Sequence, residues 1–181
     1  LRILDDKECR PFCNTRAGLN LGEGAAYLVL ERESEKPNYG KVLGYANAND
    51  ATHQTATSDE GEGAFRSMKN ALAKANITPS DVDYINVHGT ATGNNDLSEG
   101  NAIKRIFTEK VPHFSSTKAF TGHCLAAAGS IEAVFSLLSI KYGAIYPNLN
   151  FSEPIEHKLI PHSNFSENNE INTVMSNSFG F

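Results

Sequence analysis

The sequence predicts an α/β fold, and two patterns carry that prediction. Short runs rich in β-branched residues alternate with longer runs whose apolar residues recur every three or four positions. Polar residues set among small ones stand directly after several of the short runs, at the sheet edge where α/β folds bind ligands. The chain has 181 residues, 40% hydrophobic and 20% charged, which is enough for one large core or two small ones.

The first predicted elements are two strands separated by a charged loop. Residues 25–31, AAYLVLE, and residues 41–47, KVLGYAN, are short apolar runs. Between them, RESEKPNYG is charged and contains proline and glycine, so we predict a loop there. This loop is the best domain boundary, and it divides the chain into residues 1–36 and residues 37–181.

The middle of the chain predicts two amphipathic helices with a strand between them. Residues 61–76 carry apolar residues at helical spacing, namely Phe65, Met68, Leu72 and Ala75. YINVH follows as a β-branched strand. Asp96 and Glu99 then have the D-x-x-E spacing of a helix start. The helix that continues should turn three residues inward: Ile103, Ile106 and Phe107.

The last third predicts two short strands and one long helix. VPHFSS and INTVMSNSFGF read as strands. The long helix is predicted for LAAAGSIEAVFSLLSIKYG, which begins with small residues and is apolar on nearly every side. This composition predicts a buried helix that ends at Gly143.

Composition and charge exclude several classes of function. The net charge of -5 argues against a nucleic-acid binder, and no apolar run approaches the length of a membrane span, about 18 residues. Cys9, Cys13 and Cys124 are odd in number and lack zinc spacing. We therefore expect a cytoplasmic protein without a disulfide framework or a metal site. The chain has no initiator Met and ends on SNSFGF, so we expect a fragment.

Three predicted strand ends lead to polar residues that together suggest a site. His88 follows YINV, Lys118 follows FSST, and His123 stands just before the long helix. Small neighbours would let a ligand approach the backbone, and the hydroxyls of Thr90 and Thr92 could bind it. Each residue alone also has a structural interpretation, since single histidines mostly serve packing and threonines often cap turns.

Glu132 lies inside the apolar helix, where a buried acid needs a partner, and Lys118 is the candidate. In one continuous helix, nine steps of about 100° would put residues 123 and 132 on opposite faces, so we predict that His123 precedes the helix.

The motifs INVHGTATGNNDLSEGNAI, SSTKAFTGHCLAAAGSIEA and NSFGF together resemble the C-terminal half of β-ketoacyl-acyl carrier protein synthases. CRPFCNTRAGLNLGEGAAYLVLE is similar to the end of their N-terminal half. The resemblance implies a thiolase-like fold of layered αβαβα type, with residues 1–36 ending the first half and residues 37–181 forming a truncated second half. It also implies an acyltransferase of fatty acid or polyketide synthesis, active as a homodimer or heterodimer.

The implied reaction is a decarboxylative Claisen condensation on substrates carried by the phosphopantetheine of an acyl carrier protein, with no other cofactor. The resemblance assigns catalytic roles to four residues: His88, His123, Lys118 and Glu132. It assigns substrate contacts to Thr90, Thr92 and Phe181. Some relatives hold a structural monovalent cation at positions matching Asn86, Glu132 and Ser176.

Two departures from the family keep alternatives open. The nucleophilic cysteine lies in the part of the family that this chain lacks, and none of its three cysteines stands in that motif. The chain also stops at Phe181, before the glycine-rich turn that usually follows. A non-catalytic partner subunit of the chain-length-factor type is therefore the alternative, although such partners often lose the histidines and the lysine. A thiolase-like transferase that uses coenzyme A is a third interpretation.

Overall fold

A three-stranded parallel sheet forms the centre of the fold. The structure is a computed structural model that describes residues 3–32, 38–53 and 56–180. Its strands are β1 (Tyr84–Asn86), β2 (His113–Ser115) and β3 (Val174–Ser176), in the order β2-β1-β3. Asn86 is in register with Ser115 on one side and Ser176 on the other. The carboxyl ends of all three strands therefore meet at one edge.

Helices cover the two faces of this sheet. On one face, α1 (Glu62–Ala75) packs against α2 (Gly93–Ile106), and their apolar residues share a core with Ile85 and Val87. Successive strand residues point to opposite faces, and Tyr84 accordingly lies in a second cluster with Ile145 and Ile171. The predicted inward residues of α2 are buried: Ile103, Ile106 and Phe107. The α/β class and the central helices are thus confirmed.

After β2 the chain makes one short helix, α3 (Lys118–Thr121), and then a 3-10 turn (Leu125–Ala127) that leads into α4 (Ala128–Tyr142). Gly143 ends α4 with a φ of 59°, a left-handed conformation that favours glycine, as predicted. α4 contacts β3.

The buried stripe of α4 differs from the prediction of an apolar helix buried on nearly every side. Its buried residues are small or polar: Ala128, Glu132, Ser136 and Ser139. The larger apolar residues of the helix are only partly buried. By length and composition, the 18-residue run Leu125–Tyr142 could also cross a membrane, contrary to the sequence expectation. A core helix passes the same test, and this one carries an acid paired inside the protein.

The two strands predicted for residues 25–31 and 41–47 are not formed. Strands need a neighbouring strand to satisfy their backbone groups, and no β-bridge joins either stretch to another described residue. Their apolar side chains are exposed instead, with Tyr27 at 93% and Val42 at 69%. A gap of about 1630 Å³ is lined by residues 27–31 and 38–53 together with residues of α1, α4 and β3.

Candidate functional site

The two predicted histidines meet at the carboxyl edge of the sheet. His88 is the second residue after β1, and His123 is held by the N-terminal segment, where it bridges to Leu21. The backbone N–H of His123 donates to the Asn20 carbonyl oxygen at 2.8 Å. The ring centroids lie 5.3 Å apart, edge to face. His88 is buried while His123 is only partly buried, so the pair is approached from the His123 side. The gap described above is not lined by either histidine.

Lys118 connects three parts of this site from a buried position. Its Nζ donates to the His88 carbonyl oxygen at 2.6 Å and lies 3.3 Å from His88 Nδ1. The same nitrogen pairs with the Glu132 carboxylate of α4. Burial raises the pKa of Glu132 and the charge of Lys118 opposes that rise. The ion pair that the sequence predicts is present, and His123 does precede α4 as predicted.

The hydrogen bonds of the two rings determine which nitrogen carries the proton. The backbone N–H of Leu125 donates to His123 Nδ1 at 3.0 Å, so a neutral His123 carries its proton on Nε2. The Lys118 ammonium has only hydrogens to offer His88 Nδ1, which again leaves the proton on Nε2.

Both rings are also favoured in their neutral form. Burial lowers the pKa of His88 well below its ordinary value, and Lys118 and His123 lower it further. Burial and Lys118 likewise lower the pKa of His123. The site therefore presents two neutral imidazoles, each with an Nε2–H donor.

The loop from Thr90 to Gly93 carries the two predicted threonines. Their hydroxyl oxygens lie 2.9 Å apart, and Ala91 between them has a φ of 63°. Arg16 of the N-terminal segment donates to the carbonyl oxygens of Thr92 and Gly93 at 3.2 and 2.8 Å. Phe181, the third predicted substrate contact, lies outside the described residues.

Sequence reasoning missed the roles of Asp96 and Glu99. They were predicted to start a helix, but α2 begins at Gly93 with Thr92 as its N-cap, so both acids lie inside it and are buried. Their carboxylates reach back to the preceding loop instead of capping the helix. Burial raises the pKa of Glu99 to about 7 against hydrogen bonds that lower it, and burial raises the pKa of Asp96 as well. The sequence signal for these contacts was the position of two acids among small residues shortly after the His88 loop.

The three cysteines are free and buried, and no hydrogen bond joins their sulfurs to either imidazole. Burial raises the pKa of Cys9 to about 11. Among the described residues, no group of three or more His, Cys, Asp or Glu side chains could hold a metal ion. The amide of Asn86 is buried with neither atom partnered in the part of the chain that the structure describes. Of the other two positions at which the resemblance implies a cation, Glu132 is paired with Lys118 and Ser176 is exposed, so these described residues do not fit that ion.

Comparison with known proteins identifies relatives over nearly the whole chain. Residues 39–152 match the family model "Beta-ketoacyl synthase, C-terminal domain". The chain is 44% identical over 98% of its length to 3-oxoacyl-[acyl-carrier-protein] synthase 2 of Staphylococcus aureus, of which it covers 46%. The synthase of the same name from Rhizobium meliloti (strain 1021) is 42% identical over 97% of the chain, which covers 44% of it. The chain thus spans about half the length of the curated relatives it matches.

Solved structures give the same result. One match is a chain of the complex between a type II PKS acyl-carrier protein and its ketosynthase bound to the hexaketide. The alignment includes 99% of the present chain and 48% of the solved one, with a TM-score of 0.88 and 30% identity. A chain of the Xenorhabdus doucetiae ketosynthase in complex with its chain length factor aligns with a TM-score of 0.80 and 33% identity over 99% of the chain, which covers 45% of it. The predicted thiolase-like fold is confirmed.

Proposed function

Because this chain belongs to the β-ketoacyl synthase family, we propose that its protein is a β-ketoacyl-acyl carrier protein synthase of fatty acid or polyketide synthesis. Residues 1–36 would end the first ketosynthase half and residues 37–181 would belong to the second. The substrates are carried on the phosphopantetheine of an acyl carrier protein, and no other cofactor takes part. The protein acts in the cytoplasm as a homodimer or a ketosynthase heterodimer.

The observation that carries the proposal is the pair of Nε2–H donors on His88 and His123, with rings 5.3 Å apart. A malonyl thioester loses carbon dioxide when its carbon–carbon bond breaks and the electron pair moves into an enolate. The negative charge then collects on the thioester oxygen. Two donors aimed at that oxygen stabilise the transition state more than the ground state, and neutral rings keep both protons in place.

Lys118 and the threonines take supporting roles in this scheme. Lys118 holds the His88 backbone and keeps Nδ1 of that ring an acceptor. Glu132 holds the Lys118 ammonium. Thr90 and Thr92, with Phe181, contact the arm and the acyl chain. The enolate carbon attacks the acyl thioester on a cysteine outside these 181 residues, a carbon–carbon bond forms, and the cysteine thiolate leaves.

The test uses the complete polypeptide encoded by the reading frame that contains residues 1–181. It is incubated with acyl carrier protein loaded with an acyl chain or with radiolabelled malonate, and carbon dioxide, β-ketoacyl product and acyl-cysteine are measured. We expect condensation in the wild type. His88→Ala should slow decarboxylation by about 10²- to 10³-fold, as the loss of an oxyanion donor typically does, while cysteine acylation persists.

His113→Ala is the matched control, because His113 forms a similar edge-on pair with His162 at 5.1 Å but lies at the opposite end of β2. It should leave both steps unchanged. A wild type that neither decarboxylates nor condenses would overturn the proposal. If condensation requires an added ketosynthase subunit and is unchanged in His88→Ala, the protein is a chain-length-factor-type partner instead. Equal loss of acylation and decarboxylation in His88→Ala would overturn the role of His88.

A further inference from the structure

Two glycines face each other where the N-terminal segment crosses the loop that carries His123. A Cβ on Gly22 would overlap the Thr121 carbonyl oxygen, and a Cβ on Gly122 would lie 2.7 Å from the Gly22 Cα. The obstructing atoms belong to the backbone, so no rotation of a side chain could relieve either overlap. The two stretches of chain can pass at this distance only because both positions lack a side chain.

The close crossing lets the two backbones form a short parallel ladder. Leu21 and His123 are paired in parallel. The backbone N–H of His123 donates to the Asn20 carbonyl oxygen at 2.8 Å, and the N–H of Gly22 donates to the His123 carbonyl oxygen at 3.2 Å. Both polar groups of the His123 backbone are therefore bonded to the residues that flank Leu21.

This ladder determines where the His123 backbone lies, because His123 belongs to no helix or strand. Gly122 before it has φ 67° and ψ 178°, a conformation that almost only glycine adopts. The backbone N–H of Leu125 fixes the orientation of the ring through Nδ1 at 3.0 Å. A shift of the ladder would therefore move the Nε2–H of His123 away from the oxygen that it shares with His88.

Of the two glycines, Gly22 gives the cleaner test of this idea. Gly122 has a positive φ, so any substitution there is strained by the backbone conformation as well as by the contact. Gly22 is not among the glycines with a positive φ. An alanine at position 22 therefore meets a steric obstacle without a conformational one.

We propose that Gly22 is a positioning residue for malonyl decarboxylation: its missing side chain lets the N-terminal backbone hold His123 in place beside His88. The inference rests on the proposed function and adds a residue from the other side of the proposed boundary at residues 36 and 37. Gly22 acts through the backbone of His123 and not on the substrate.

The experiment measures cysteine acylation and malonyl decarboxylation separately in the complete polypeptide, in Gly22→Ala, in His123→Ala and in the double variant. In Gly22→Ala we expect decarboxylation kcat to fall about 10- to 100-fold, as displacement of a catalytic group by about 1 Å does, with acylation within about two-fold of the wild type. His123→Ala should slow decarboxylation by about 10²- to 10³-fold. Because Gly22 acts through His123, the double variant should be no slower than His123→Ala.

Gly18→Ala is the matched control for the steric damage. Gly18 lies in the same segment, and a Cβ there would lie 2.7 Å from the Ile3 carbonyl oxygen, again a backbone atom. This contact is away from His123. Gly18→Ala should therefore lower the melting temperature as Gly22→Ala does, while the ratio of decarboxylation to acylation stays that of the wild type.

Asn20→Ala keeps the test decisive if Gly22→Ala does not fold. The Asn20 side chain bonds to the backbone of residues 5, 7 and 9, so its removal loosens the residue whose carbonyl oxygen holds His123 and adds no atom. It should lower decarboxylation less than Gly22→Ala and spare acylation.

The inference is overturned if a folded Gly22→Ala decarboxylates like an active wild type, if it lowers both steps in parallel, or if the double variant is slower than His123→Ala by the full effect of Gly22→Ala. If Gly22→Ala does not fold, an Asn20→Ala protein with unchanged decarboxylation overturns it. A wild type without any decarboxylation would instead overturn the proposed function.

Discussion

Replacement of Glu132 by leucine should destabilise the protein by about 3–5 kcal/mol, because the Lys118 ammonium would remain buried without its counter-ion. The two side chains are only 2% and 3% exposed, so water cannot take over the role of the carboxylate. Two neutral acceptors remain near Nζ, the His88 carbonyl oxygen at 2.6 Å and His88 Nδ1 at 3.3 Å. They solvate part of the charge, and we therefore expect the lower half of that range.

Removal of both charges should cost much less than removal of one. In Lys118→Met/Glu132→Leu no buried ion is left, and the main loss is the donor to the His88 carbonyl oxygen, about 1–2 kcal/mol. Ser178 also loses the Glu132 oxygen at 3.3 Å, but Ser178 is exposed and water replaces that bond. The double-mutant cycle should therefore show a coupling of at least about 2 kcal/mol between the two positions.

Lys118→Met alone should lose stability as pH rises. Burial raises the pKa of Glu132 and Lys118 opposes that rise, so loss of the lysine raises the pKa further. The native variant then keeps a proton that the unfolded chain has released, and its stability falls as pH rises above the unfolded carboxyl pKa. The variant is thus least impaired in mild acid.

Equilibrium urea denaturation of the complete polypeptide and the three variants, followed by circular dichroism, measures these free energies. Glu62→Gln is the control, because Glu62 pairs with Arg66 and Arg105 at the surface and its loss should matter far less. A loss below about 1 kcal/mol in Glu132→Leu, or a double variant as unstable as the sum of the single ones, would refute the reasoning.

Two further predictions concern α2. A rise in pH from the ordinary glutamate pKa to about 7 should destabilise the wild type relative to Glu99→Gln. Burial raises the pKa of Glu99 to about 7, so between these two values the native state keeps a proton that the unfolded chain has released. Urea midpoints across this range check it, and parallel curves would contradict it. Gly100→Ala places a Cβ 2.1 Å from the His157 ring and should cost about 1–3 kcal/mol. In Gly93→Ala the added Cβ meets nothing within 4 Å, so this substitution should leave the melting temperature unchanged or raise it. A Gly100→Ala protein as stable as Gly93→Ala would contradict the packing argument.

The sequence predicted those parts of the fold that local periodicity determines. The apolar spacing of residues 61–76 located α1, and the β-branched run before His88 located β1. Residues 25–31 and 41–47 have the same strand composition, yet they form no strand, because a ladder depends on a partner elsewhere in the polypeptide. The burial of α4 was mispredicted for a similar reason, since the packed face of a helix depends on its neighbours.

The order of the motifs predicted that His88, Lys118 and His123 lie together, and the geometry among them was only partly predictable. The partnership of Lys118 and Glu132 followed from the need of a buried acid for a cation. The orientation of the His123 ring depends on the backbone N–H of Leu125, which no side-chain pattern reveals. Asp96 and Glu99 were mistaken for a helix start, because D-x-x-E spacing fits a cap as well as an acid turned back onto a loop.

The N-terminal segment supplies bonds to the site from the other side of the proposed boundary at residues 36 and 37. The Asn20 carbonyl oxygen accepts the backbone N–H of His123, and Arg16 donates to the carbonyl oxygens of the threonine loop. The backbone N–H of Phe12 donates to the Asp96 carboxylate. Recombinant ketosynthases assembled from two parents should therefore inherit residues 3–24 from the parent that gives the histidines. A crossover in the charged loop would join foreign backbones at the point where the imidazoles are held in place.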